Sequence, residues 1–141
     1  MYCVGFTGTR KGMRYAQKEW LAAKLKELGN EQFIHGGCVG ADEQAHHINK
    51  SPITFIYPAS YPQGQSMNLT LWQNYHEIII APAKKALDRN HDIVDDSDIL
   101  IACPGEKEEV LRSGTWATIR YAKKQGKSVI IIYPDGEVEN V

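Results

Sequence analysis

The sequence is short of cysteine, of charge imbalance and of long apolar runs, and each shortage excludes a class of protein. Cys3, Cys38 and Cys103 are widely spaced and form no Cys-x-x-Cys pair. That excludes a disulfide framework and a zinc knuckle, and makes a reducing, cytoplasmic setting the expectation. Sixteen Lys and Arg against seventeen Asp and Glu leave a formal net charge of -1. The chain as a whole therefore has no basic field to hold a nucleic-acid backbone, and such a partner, though not favoured, stays open through a local basic patch. No apolar run approaches the roughly 18 residues that span a bilayer. Residues 1–6 lack the charged start of a signal peptide, so neither secretion nor a membrane partner is expected.

At 141 residues, 43% apolar and 23% charged, the composition suits one globular domain over residues 1–141, with no linker, repeat or low-complexity tract. Short apolar runs at 2–6, 32–35, 53–57, 77–80, 98–102 and 128–133 read as strands. Helical spacing of apolar residues, with Gly, Ser or Pro at the ends, predicts helices over 13–28, 42–49, 82–94 and 113–125. Residues 59–74 read as an irregular excursion with at most a helical turn at 69–72, where Trp72 and Tyr75 stand apart from the aromatics expected in the core, Trp20, Trp116 and Tyr121. Strands alternate with helices, and several strands are continuously apolar. This pattern predicts a doubly wound α/β domain, with helices on both faces of a mostly parallel sheet of about five strands. Ligands of such sheets bind in the loops beyond the carboxyl ends of the strands.

Three of those loops carry candidate chemistry. The first holds Gly8, Thr9 and Arg10: a tight turn, a hydroxyl and a forked cation suited to phosphate, though without G-x-G-x-x-G spacing. Read plainly, it is a glycine turn with a solvated arginine. The second runs from His35 through Gly36, Gly37 and Gly40 to Asp42. Its glycine-rich approach to a helix can cradle an anion on backbone N–H groups. Asp42 either caps its own helix or accepts from a ribose hydroxyl or base amine. The third, Ser113-Gly114-Thr115 after Arg112, offers hydroxyls and unpaired N–H groups at a helix start, or else a plain serine cap. The five histidines show no metal-ligand spacing, so no metal site is assigned.

Taken in order, residues 5–10, Gly36-Gly37-Cys38-Val39-Gly40-Ala41-Asp42-Glu43-Gln44-Ala45-His46, Arg89-Asn90-His91-Asp92-Ile93-Val94 and Ser113-Gly114-Thr115 resemble the SLOG superfamily over nearly the whole chain. The superfamily includes DNA processing protein A and the Lonely Guy phosphoribohydrolases. The Gly-x-Asp-x-x-Ala-His and Arg-Asn-x-x-Ile-Val stretches look most like the former. The resemblance implies a Rossmann-like sheet binding a nucleotide or a nucleotide-derived molecule. Gly8, Thr9 and Arg10 match its first ligand loop, Gly36, Gly37, Gly40 and Asp42 its second, Arg89 its motif arginine, and Ser113, Gly114 and Thr115 its phosphate loop.

Lonely Guy enzymes resemble a Pro-Gly-Gly-x-Gly-Thr-x-x-Glu pattern whose glutamate assists N-glycosidic cleavage. Thr118 stands there in this chain, and a threonine cannot supply that carboxylate. The expectation is therefore a sensor or sequestering protein that needs no cofactor, with Arg10 and Arg89 pairing phosphate and Asp42 orienting sugar or base. The alternative is an N-glycosidase acting on a nucleoside monophosphate through Asp42 or Glu43. Single-stranded DNA binding, as in DNA processing protein A, is a third reading. Homo-oligomers are implied by the resemblance alone.

Overall fold

The computed structural model describes residues 2–60, 66–67 and 77–141. The turn expected at 69–72, Trp72, Tyr75 and His76 lie outside the described residues.

Seven strands form one sheet in the order β4-β3-β2-β1-β5-β6-β7. These are β1 (Cys3–Gly8), β2 (Gln32–His35), β3 (Ile53–Ile56), β4 (Glu77–Ile80), β5 (Ile99–Cys103), β6 (Ser128–Ile132) and β7 (Val138–Asn140). The first six run parallel, and β7 returns antiparallel to β6. Register is fixed at the centre by Phe6 opposite Ile101 and Val4 opposite Phe33. β5 is buried along its whole length. Its alternate side chains supply both cores, as a parallel strand covered on two faces must.

Helices α1 (Tyr15–Leu28) and α2 (Ala41–Ile48) cover one face, packing Leu21, Leu25, Ala41 and Ala45 on Phe6, Phe33 and Ile101. Helices α3 (Ala86–Asp95) and α4 (Gly114–Lys124) cover the other, packing Ile93, Val94, Trp116 and Ile119 on Ile34, Leu100 and Ile131. None of these helices is long and apolar enough to cross a membrane. The doubly wound α/β architecture is thus as the alternation of strand and helix predicts.

The structure departs from the expected pattern in three places. The sheet has seven strands rather than about five: all six apolar runs form strands in it, and Pro134-Asp135-Gly136 turns the chain back to add a seventh. Gly136, at φ 89°, donates to Tyr133 O at 2.9 Å, and the polar edge strand β7 follows. The third helix starts at Ala86, not 82, because the Lys84 backbone is engaged across the loops: Ser60 N donates to Lys84 O at 2.7 Å, and Lys84 N to Pro58 O at 3.2 Å. Trp20 is 43% exposed rather than in the core. It precedes Leu21 on α1 and so lies about 100° around the helix from the buried stripe.

Candidate functional site

β1 is flanked by β2, reached through α1 on one face, and by β5, which leads to α4 on the other. The loops after β1 and β5 therefore diverge, opening the crevice in which doubly wound sheets bind ligands. A cleft of about 340 Å³ occupies this place. Among the described residues it is lined by Gly8, Thr9, Arg10, Gly36, Asp42, Arg89, Ser113, Gly114 and Thr115, all singled out from the sequence. Gly37, Gly40, Glu43 and Thr118 do not line it.

The loop after β2 is closed on itself. Gly36 N and Cys38 N donate to Asp42 Oδ2 at 3.1 and 3.2 Å. Gly37 N donates to His35 Nδ1 at 2.9 Å, and Ala41 N to Thr9 O at 2.9 Å. The Gly36, Gly37, Cys38 and Ala41 amides are thus satisfied within the chain, and the anion held by Gly36 and Cys38 is the Asp42 carboxylate. Two glycines are required by these close approaches. A Cβ on Gly36 would strike the Arg89 guanidinium and the Asp42 carboxylate, and one on Gly40, at φ 86°, would strike the Arg10 carbonyl.

Arg89 fastens this loop from the opposite side. Although exposed arginine is the rule, it is buried, with 5% of its surface exposed. Its Nη1 donates to Gly36 O at 3.0 Å and Tyr57 O at 3.1 Å, its Nε donates to Asn90 Oδ1 at 2.7 Å, and its Nη2 lies 3.8 Å from Cys38 Sγ. The structure therefore uses Arg89 as a strap between the ends of β2 and β3.

Burial raises the pKa of Asp42 to about 6, outweighing the opposite pull of the Cys38 amide, the Arg89 charge and the Gly36 amide. Burial likewise pushes the Cys38 thiol up. His35 is held down at about 3 by burial, with His46 and Arg89 adding to the effect. Its Nδ1 accepts from Gly37, so the ring proton sits on Nε2, 2.9 Å from His46 Nδ1. The His35 and His46 rings, 5.1 Å apart between centroids, thus support the loop from beneath.

The start of α4 is open by contrast. Ser113 caps the helix, its Oγ accepting from Trp116 N at 3.2 Å. The N–H groups of Gly114 and Thr115 have no acceptor among the described residues, and both residues line the cleft. They stand at the positive end of the helix dipole. Arg10 and Arg112 add cationic side chains to the same lining, and Ala86, Leu87 and Ile93 give it an apolar side. The Thr118 hydroxyl donates to Gly114 O at 2.8 Å and is buried, so it is tied into its own helix.

Three contributors were not chosen from the sequence. Arg112 is legible afterwards as the cation preceding Ser113. Glu106, which lines the cleft and accepts from Trp116 Nε1 at 3.1 Å, is indistinguishable in sequence from the neighbouring acids. Gln17, 1% exposed, donates through Nε2 to Pro104 O at 2.8 Å and Ile132 O at 2.9 Å, clamping the ends of β5 and β6. Nothing in the sequence marks it out among the polar residues of α1. Among the described residues no group of three or more His, Cys, Asp or Glu could hold a metal ion.

No protein-family model and no curated protein matches the chain. Solved structures are similar, two of them over more than nine-tenths of this chain. The molybdenum cofactor binding protein from the phototrophic bacterium Rippkaea orientalis is 20% identical, at a TM-score of 0.64, over 94% of this chain and 76% of that one. TM1055, a structural-genomics target, is 17% identical, at a TM-score of 0.60, over 92% of this chain and 72% of that one. At these identities the likeness is one of fold, and that fold is Rossmann-like.

Proposed function

We propose that the chain is a SLOG-type domain, of the DNA processing protein A branch, that binds a phosphorylated, nucleotide-like small molecule in this cleft and keeps it intact. It acts as a sensor or a sequestering protein. The observation that carries the reading is the pair of unpaired amides at Gly114 and Thr115, set in one lining with Arg10 and Arg112. Backbone N–H groups at a helix start, with forked cations nearby, suit a phosphate. Arg89 and Asp42 shape the loop that faces it. The similar structure named for binding molybdenum cofactor supports a small-molecule role for the cleft.

The second reading, N-glycosidic cleavage, draws on one observation: a carboxylate in the cleft, Asp42, whose pKa is raised to about 6. Against it, Oδ2 of that carboxylate is committed to two amides, and Thr118 is bonded into α4.

The test is to incubate the protein with nucleoside mono-, di- and cyclic phosphates, record thermal stabilisation, and chromatograph the mixtures for free base. Stabilisation with every ligand recovered intact is the expected result, since a ligand of the native state raises its apparent stability. Release of base, lost in Asp42→Asn, would establish the second reading instead.

A further inference from the structure

We infer that a groove between the C-terminal ends of α1 and α2 is a second binding site, for a small apolar molecule that carries one carboxylate. The site is independent of the phosphate reading and lies at the other end of the sheet. Asn30 and Ser51, which line it, stand just before β2 and β3 at their amino ends, whereas the cleft opens at the carboxyl ends. Its volume of about 520 Å³ exceeds that of the cleft and falls within the range of small-molecule pockets.

One wall of the groove is a single side of α1 and its cap. Ala22, Leu25, Lys26 and Gly29 occupy positions i, i+3, i+4 and i+7, the spacing of one helix face. Leu25 belongs to the core, and Ile48, the last residue of α2, packs against that core from the opposite wall. Ala22 and Gly29 are too short to cover this apolar floor, and a Cβ on Gly29 would meet nothing within 4 Å. The rim carries charge of one sign, since Lys26 and Lys50 line the groove and no acid does. Among the described residues neither lysine enters an ion pair, and Glu27, beside Lys26, is taken by Lys24 at 3.5 Å. The negative ends of the two helix dipoles, roughly half a charge each, offset about one of the two lysine charges. What remains matches a monoanion, with its carboxylate at the rim and its apolar body on Leu25 and Ile48. An ammonium would instead meet two like charges.

The probes are 4-phenylbutyrate, 4-phenylbutanol and 4-phenylbutylamine, which share one apolar body and differ in charge. Each is titrated into the protein at neutral pH while the methyl signals of Leu25 and Ile48 are followed by NMR. The acid is expected to shift both signals saturably and to bind about fivefold more tightly than the alcohol, with the amine weaker still. Replacing both lysines, Lys26→Gln with Lys50→Gln, should bring acid and alcohol within about twofold of each other. Ala22→Trp, at an exposed position of α1, should fill the groove and weaken all three probes at least about tenfold in a protein that melts normally. The inference would be overturned by equal binding of acid and amine to the wild type, by an acid preference that survives loss of both lysines, or by shifts confined to other methyls. Undiminished binding to a folded Ala22→Trp, or failure of all three probes to bind, would overturn the groove as a site.

Discussion

Replacing Gly114 by proline, and separately by alanine, isolates one backbone N–H without disturbing the helix that carries it. Gly114 is the first residue of α4, and a Cβ built on it meets nothing within 4 Å. Proline is at home in that position, where its missing N–H interrupts no helical bond. Ser113 before it is extended at ψ 129°, as a residue preceding proline should be. Both variants should therefore fold, with a midpoint at or slightly above that of the wild type. The proline variant lacks one donor to the anion, and a hydrogen bond to a charged group contributes about 1.5–3 kcal/mol. Affinity for a nucleoside monophosphate should fall by roughly 10- to 150-fold. The alanine variant keeps the N–H and should bind within about twofold of wild type, and the parent nucleoside, which has no phosphate, should not distinguish the two. Calorimetry beside a melting curve reads all of this. A proline variant that melts normally and binds phosphate as tightly as the alanine variant would refute the placement of the anion at α4.

Arg89→Ala should cost about 3–5 kcal/mol in urea unfolding, because it strips a donor from Gly36 O and Tyr57 O and leaves Asp42 without its counter-charge. An exposed ligand-binding arginine would cost little, and such a result would count against the strap. Asp42→Asn tests the raised pKa. Because the folded value lies above the unfolded one, the contribution of Asp42 to stability is fully present below about pH 4 and is lost as pH rises through about 6. The wild type should therefore lose about 2–3 kcal/mol relative to Asp42→Asn between those limits, and nothing further above them; parallel stability curves would disprove the shift. Thr118→Val should change stability by less than about 1 kcal/mol, since its hydroxyl bonds only within α4. Thr118→Glu should unfold more readily and release no base, because it buries a carboxylate outside the cleft. Base release by that variant would show that the position does reach the ligand.

Which loops matter was legible in the sequence because glycine, serine and a change of hydrophobic period mark a strand end and a helix start whatever the rest of the fold does. What each residue does inside the loops was less legible. The Gly36–Asp42 stretch reads equally as an open anion cradle or a closed one, and only the placement of the Asp42 carboxylate under the Gly36 and Cys38 amides decides between them. Arg89 sits among polar residues, and only the resemblance gives it a role in the sequence, that of pairing phosphate. Its burial follows from its bonds to Gly36 O and Tyr57 O in the loops after β2 and β3, which is a tertiary fact. The same holds for Gln17, whose two acceptors lie 87 and 115 residues away.

The two sides of the cleft therefore divide stability from affinity. On the β2 side the Gly36, Gly37, Cys38 and Ala41 amides, the Asp42 carboxylate and the Arg89 guanidinium are already matched within the chain, so a ligand there gains contact with a preformed surface and meets few vacant donors. That rigidity lowers the ordering cost of binding, which is how groups that never touch the ligand still add to affinity. On the α4 side two amides remain unmatched at the protein surface, and their free energy is recovered only when an anion arrives. Substitutions in the Asp42–Arg89 network should consequently move the melting point of the empty protein first and affinity second. Those at Gly114, Thr115, Arg10 and Arg112 should do the reverse. A cleft whose two sides responded alike would have to hold its ligand symmetrically, against the hydrogen-bond pattern of both loops.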